Sequence, residues 1–343
     1  MSDATPQTIL QARGISTRFE TFNGTVHAVN GVDFDLRQGE TLAVVGESGS
    51  GKSVTMLSIL GLLPQSGTRV TGSAHLYIDN KHVDLLSLSR RSLDAIRGRH
   101  IGIVFQDALR SLNPVMTVGE QLTESLVTHL GYGPGRARSR AIELLGHVGI
   151  SQPDKRFKSY PHQFSGGMRQ RVMIAIAIAC SPEILIADEP TTALDVTIQT
   201  QIIELTKRLQ SEMGMTVIWI THDLGVVAGI ADRVMVMYAG MPIEVSPVDE
   251  LYRRPQHPYT AGLLGAIPII GDRSGSRLVS IDGTPPDLFE APRHCQFAWR
   301  CLYVFDDCWE AVPENQDVGP EHSARCIYDM YAKRPRTGQA APT

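Results

Sequence analysis

No apolar run in these 343 residues approaches the roughly 18 that a membrane-spanning helix requires. The longest, Val172 to Cys180, has nine residues and reads as a buried helix. The opening MSDATPQTIL has no basic segment ahead of an apolar one, so it does not read as a secretory leader, and the chain is expected on the cytosolic side. Charge of either sign is not in excess. The 36 acidic and 32 basic side chains leave −4, which gives no electrostatic case for nucleic acid as the main partner. There is no internal repeat, low-complexity tract or heptad pattern. Cysteine is sparse, five in all, and no pair forms the short C-x2–4-C knuckle of most zinc sites. In a reducing compartment disulfides are the poorer use for them. A chain of this length that is 42% hydrophobic can hold one large domain with an appendage, or two domains.

What is present starts with Thr41-Leu-Ala-Val-Val45, a strand pattern that runs into Gly46-Glu47-Ser48-Gly49-Ser50-Gly51-Lys52-Ser53. This is the G-x-x-x-x-G-K-[ST] phosphate loop. Its glycines let backbone N–H groups turn inward, Lys52 brings a point charge to the β- and γ-phosphates, and Ser53 offers a hydroxyl to Mg²⁺. A helix expected over Val54 to Leu63 would aim its positive end at the anion. A second apolar strand, Ile184-Leu-Ile-Ala187, ends in Asp188-Glu189. These are an acid suited to hold Mg²⁺ through water and an acid suited to act as general base. Between them lies Phe164-Ser165-Gly166-Gly167-Met168-Arg-Gln170, where Ser165 is a good N-cap and two glycines expose backbone N–H groups. One nucleotide rarely needs two such anion sites from one chain, so this start is read as serving an ATP bound to a different subunit.

Taken in order, these motifs resemble the ATP-binding subunits of ABC transporters. The set also includes Gln106 in Val104-Phe-Gln-Asp107, Ala193-Leu-Asp195, and His222 after Thr216-Val-Ile-Trp-Ile220. The resemblance implies an α/β P-loop NTPase, with a mixed-sheet core and a helical subdomain at about residues 107–175 that docks on membrane subunits. It implies that Gly46 to Val54 bind ATP, that Gln106 touches Mg²⁺ and the attacking water, and that Ser53 and Asp188 complete the Mg²⁺ site. Glu189 would be general base and His222 would hold the γ-phosphate. Asp195, in the D-loop, would cross the dimer interface. Phe19 is placed as the adenine-stacking aromatic by its distance upstream of the loop. Phe164 and Met168 depart from the commonest signature without removing the serine or glycines.

Several stretches look specifically like the peptide-importer branch. They include LNPVMTVGE from Leu112, YPHQFSGGMRQR from Tyr160, TTALDVT from Thr191, HPYT from His257 and GTPPD from Gly283. That branch implies an importer of dipeptides or oligopeptides, with nickel or glycosides as alternatives. It also implies a second ATPase subunit, two permease subunits and an external solute-binding protein, with the chain peripheral at the cytoplasmic face of the membrane. The rival class is a soluble ABC ATPase acting on nucleic acid or ribosomes. Such proteins usually carry tandem cassettes or coiled coils, and this chain has neither.

Prolines from Pro242 onward break the last third into short pieces. The catalytic domain is expected to end near residue 255, with a linker over 256–282 (polar at Gly271 to Arg277) and a small loop-rich metal-binding tail over 283–343. The tail holds Cys295, Cys301, Cys308 and Cys326, with Phe297, Trp299, Tyr303, Phe305, Trp309 and Tyr328 among them. The wide C-x5-C-x6-C-x17-C spacing leaves three readings: a [4Fe–4S] cluster, zinc, or unliganded thiols. The family resemblance implies the cluster, although Gln296 and Leu302 stand where the family often has proline. A structural staple is favoured over electron transfer. His294, His322 and Cys180 are read as structural.

Overall fold

The computed structural model describes residues 7–78, 81–192, 194–267 and 281–336. In chain order the strands longer than two residues are Thr8–Thr21 (β1), Gly24–Arg37 (β2), Thr41–Val45 (β3), Thr68–Ile78 (β4), Lys81–Asp84 (β5), Ile101–Val104 (β6), Ile184–Asp188 (β7), Thr216–Thr221 (β8), Arg233–Tyr238 (β9), Met241–Pro247 (β10), Gln316–Gly319 (β11) and His322–Ala324 (β12). The α-helices are Lys52–Ile59 (α1), Arg90–Ile96 (α2), Ala108–Ser111 (α3), Val118–Leu130 (α4), Pro134–His147 (α5), Pro153–Arg156 (α6), Gly166–Ala177 (α7), Val196–Met213 (α8), Leu224–Ile230 (α9), Val248–Arg253 (α10) and Pro258–Gly265 (α11). Two compact units form. One comprises the described parts of Met1–Ile9, Leu36–Thr41 and Tyr77–Ile220, the other those of Leu10–Asp35, Leu42–Leu76 and Thr221–Thr343.

In the first unit β6, β7 and β8 run parallel, with Ile103 beside Ile186 and Ile186 beside Ile218. The side chains of β8 are buried along its whole length, as near-continuous apolar strands in parallel sheets are. The α4 helix starts on a capping box between Thr117 and Glu120 and stops at Gly131, which is left-handed at φ 63°. Gly214 ends α8 in the same way at φ 65°. In the second unit β3 lies parallel to β9, while β10 runs antiparallel to both β9 and β12. The tail thus adds its own strand beside β10. A buried carboxylate fastens it there: Glu244 accepts from the Gln256 and His257 N–H groups and pairs with His322 Nε2 at 2.8 Å.

Helix α1 differs from the expected Val54 to Leu63. It begins at Lys52 because Gly51, left-handed at φ 96°, serves as N-cap, and it ends at Ile59. Gly61 (φ 59°) turns the chain there, and the Leu62 N–H returns to the Leu57 carbonyl. The residues Gly271 to Arg277 and Ala193 lie outside the described set.

Candidate functional site

The loop from Gly46 to Ser53 has positive φ at three glycines: Gly46 (152°), Gly49 (80°) and Gly51 (96°). A Cβ on Gly46 would sit 2.2 Å from the Met237 carbonyl oxygen, and one on Gly51 would sit 2.7 Å from that of Ala28. Only glycine fits either place. Lys52 is 4% exposed, and its Nζ donates to the carbonyls of Gly46 (2.7 Å) and Glu47 (2.9 Å). Helix α1 starts with no side-chain cap. Ser50 Oγ is buried with no hydrogen-bond partner among the described residues. Ser48 and Gly49 form the exposed rim, and Ser53 and Val54 are half-buried. A looped backbone around an ammonium at an uncapped helix start fits a polyphosphate. Glu47 is placed differently from its neighbours. Its N–H donates to Tyr259 Oη at 2.9 Å, and both its carboxylate oxygens are held by Arg300, at 2.7 and 3.0 Å.

Phe19 is half-buried on β1, opposite Thr68 of β4. His222 is exposed just past β8. The Asp223 carboxylate after it caps α9 by accepting from the Gly225 N–H.

In the other unit Asp188 ends β7 and Glu189 follows at φ 45°, a left-handed backbone that costs a non-glycine residue on the order of 1 kcal/mol. The Glu189 N–H donates to the Ile220 carbonyl at 2.9 Å. Its carboxylate Oε2 accepts from Gln106 Nε2 (2.8 Å) and from Thr192 Oγ1 (2.9 Å). The strained turn aims the carboxylate, and two donors fix it. Ser165 caps α7 by accepting from the Met168 N–H at 3.3 Å, and Asp195 caps α8 by accepting from that of Ile198 at 3.0 Å. The two helices approach where a Cβ on Gly167 would meet Ile198 Cγ2 at 2.8 Å. Gln106, Gly166, Gln170, Thr192 and Leu194 line one cavity of about 440 Å³, so three sequence-distant segments meet there. Thr192 escaped sequence reasoning, although TTALD places it three residues beyond Glu189.

The four tail cysteines form no disulfide. Cys295 and Cys301 lie within electrostatic reach of each other, of Cys308 and of Cys326, and burial pushes the Cys295 thiol up to about 11 and that of Cys326 up to about 12. Among the described residues no three His, Cys, Asp or Glu side chains converge as ligands of a single metal ion. By kind the four thiolates are sulfur donors of the sort that soft metals take. Phe297 packs against Tyr238, Tyr259 and His257, in an apolar cluster on which Cys295 and Cys301 also rest. Trp299 is 77% exposed and does not shield the thiols.

Comparison with known proteins places two family models on the chain. The model described as ABC transporter matches residues 29–192, and that described as oligopeptide/dipeptide transporter, C-terminal region, matches residues 243–308. The dipeptide transport ATP-binding protein DppD of Bacillus subtilis is 51% identical over 318 residues, covering 93% of this chain and 94% of its own. The oligopeptide transport ATP-binding protein OppD of the same organism is 48% identical over 314 residues, covering 92% and 87%. Among solved structures, a dimeric post-hydrolysis state of the ATP-binding cassette MJ0796 bound to ADP and Pi is similar, with a TM-score of 0.61 and 30% identity over 70% of this chain and 99% of its own. The CbiO1 protein of Clostridium perfringens, part of an ABC transporter complex, has a TM-score of 0.60 at 30% identity, covering 72% and 91%.

Proposed function

The chain belongs to the ABC transporter ATP-binding proteins with an oligopeptide/dipeptide-type C-terminal region, and from that premise we propose that it is the ATP-hydrolysing subunit of an importer of dipeptides or oligopeptides. The observation that carries this reading is the Gly46 to Ser53 cradle, whose three left-handed glycines and inward-turned Lys52 suit a nucleotide's phosphates. Lys52 meets the β- and γ-phosphates, and the Gly49, Gly51 and Ser53 backbone holds their oxygens. Ser53 and Asp188 complete the Mg²⁺ shell, and Phe19 stacks on the base. Glu189 takes the proton of the attacking water. Gln106 and Thr192, already bonded to its carboxylate, keep that carboxylate aimed. His222 holds the γ-phosphate. The Ser165–Met168 helix start serves the nucleotide of a second, related ATPase subunit, and Asp195 crosses to that subunit.

Two permease subunits and an external binding protein complete the assembly, and the chain sits peripherally on the cytoplasmic face of the membrane. Among its described residues no helix is long and apolar enough to cross one. Closure of the ATPase pair on ATP drives alternating access, and hydrolysis resets it. In the assembled transporter Glu189→Gln is expected to bind ATP and lower turnover at least about 100-fold. Undiminished ATPase activity in that variant removes Glu189 as the base.

Cys295, Cys301, Cys308 and Cys326 are read in the same proposal as the ligands of a [4Fe–4S] cluster. When bound, such a group supplies a four-point cross-link to a tail too small to be held by its own core. The tail's apolar cluster of Ala298, Cys308 and Ile327 is correspondingly small. Iron and sulfide analysis after anaerobic purification tests the assignment, and a colourless protein with stoichiometric zinc reverses it.

A further inference from the structure

We infer that Arg300, at the edge of the cysteine-bearing tail, is a positioning residue of the phosphate loop: it neutralises Glu47 and holds the loop open for a polyanion. The inference rests on the reading of Gly46 to Ser53 as the ATP cradle and adds to it a part that the tail supplies.

Glu47 is the second residue of the loop, and an ionised carboxylate there opposes a triphosphate by simple charge repulsion. Arg300 cancels that charge with a two-pronged pair, Nη1 to Oε2 at 2.7 Å and Nη2 to Oε1 at 3.0 Å. The fork geometry makes this a strong form of ion pair. The guanidinium is also committed on its other sides. Nε donates to the Asp282 carbonyl (2.9 Å), Nη1 reaches Tyr238 Oη (3.3 Å), and the plane stacks near the rings of Tyr238 and Phe297. Its side chain is 4% exposed and that of Glu47 28%. A pair with so buried a guanidinium gives up hydration and persists only where the surroundings satisfy it fully. Here they do, because the guanidinium donates to Glu47, Tyr238, Asp282 and Ile281. Tyr259 fixes the same residue from its backbone side by accepting from the Glu47 N–H. Tyr238 and Tyr259 pack on each other and on Phe297, so the loop rests on an aromatic floor built partly by the tail. Cys301 follows Arg300 directly, and Ile281 and Asp282 brace it from a segment 18 residues earlier. The state of the thiol segment and the electrostatics of the loop are thus joined through one side chain.

The test is the affinity of the full chain for ATP with Mg²⁺, measured by calorimetry, with ATPase kinetics in the assembled transporter. Arg300→Ala leaves Glu47 unpaired beside the phosphates and should weaken ATP binding on the order of tenfold. KM for ATP should rise while kcat at saturating ATP stays within about twofold, because the defect lies in ground-state binding. Adding Glu47→Gln to Arg300→Ala should restore much of the affinity, and Arg300→Lys should fall between. A tail that merely folds less well predicts no such rescue. If Arg300→Ala does not yield folded protein, Tyr259→Phe, expected to weaken ATP binding about twofold to fivefold without touching Arg300, takes its place. Unchanged affinity in Arg300→Ala, or a double variant weaker than Arg300→Ala alone, overturns the inference. So does Tyr259→Phe binding like the parent, where only that variant folds. Lys52→Ala separates the two readings: if it also leaves ATP binding intact, the cradle assignment itself fails.

Discussion

Two glycine-rich helix starts, Gly51–Lys52 and Ser165–Gly166, look alike in the sequence and are built on opposite plans. The first has no side-chain cap. Its glycines are left-handed and backbone carbonyls wall it in, so that a single methyl group cannot be added. The second is capped by its own serine, is exposed, and has space around Gly166, where an added Cβ meets only Leu194 Cδ2 at 3.8 Å. A helix start that satisfies itself needs no resident ligand. One that is closed by its surroundings but left uncapped is suited to one. The contrast therefore sets a closed start suited to a bound anion against an exposed start that satisfies itself; in the function proposed above, the second meets a nucleotide carried by another subunit.

The strongest way to break the contrast is the same substitution at both places. Gly46→Ala adds a Cβ against the Met237 carbonyl at a positive φ, which should cost about 2–4 kcal/mol of stability and reduce ATP affinity on the order of 100-fold or more. Gly166→Ala, in the first turn of α7, should be neutral or stabilising by about 0.5 kcal/mol and leave ATP binding by the isolated chain within about twofold of the parent. Its defect should emerge only as lower ATPase activity of the assembled transporter. Urea midpoints and ATP titrations of the two variants make the comparison. Equal losses of affinity would mean that the two starts do the same work.

Acid should act on the support beneath the first start. His257 is fully buried at the start of α11, and its Nδ1 accepts from the N–H of Tyr259, the residue that supports Glu47. Burial holds its pKa down at about 3. The unfolded chain therefore takes up a proton near the usual histidine value of roughly 6.5, where the folded one does not. Stability from this group is fully present above that value. It declines at about 1.4 kcal/mol per pH unit as pH falls toward 3. His257→Asn keeps a helix-capping acceptor and removes the titration, so its stability should vary with pH by that much less. A profile parallel to the parent's between pH 6 and 4 would assign the acid sensitivity elsewhere.

The difference between the starts also marks how far the sequence could be read. The strand into Gly46, the cap at Ser165, and β7 ending at Asp188 followed by Glu189 are local patterns, each governed by residues within one turn or strand, and all three are legible. The closure around Gly46 and Gly51 depends on Met237 and Ala28, and the clamp on Glu47 comes from 253 residues away. No local periodicity carries such pairings. Arg300 has the look of a surface arginine beside a cysteine, and HPYT announces a family without announcing that Tyr259 reaches the loop. Even α1 was misplaced by two residues at its start and four at its end, because Gly51 and Gly61 adopt left-handed turns that helical periodicity does not register. The long-range polar contacts of Glu189 are hidden for the same reason, though Gln106 and Glu189 were each singled out separately.

The smallest expected effect is at the cap itself. Ser165→Ala removes the acceptor of the Met168 N–H, which should destabilise α7 by about 1 kcal/mol. Ser165 is exposed, so water can take over part of that bond, and the change in unfolding midpoint should be modest. If the hydroxyl also meets a phosphate held by another subunit, ATPase activity in the assembled transporter should fall by far more than so small a loss of stability explains. Ser165→Thr, which keeps the hydroxyl and a good cap, should recover much of it. Activity that simply tracks stability across Ser165→Ala and Ser165→Thr would leave Ser165 as a helix cap only, and the two starts would differ in structure without differing in the ligand they face.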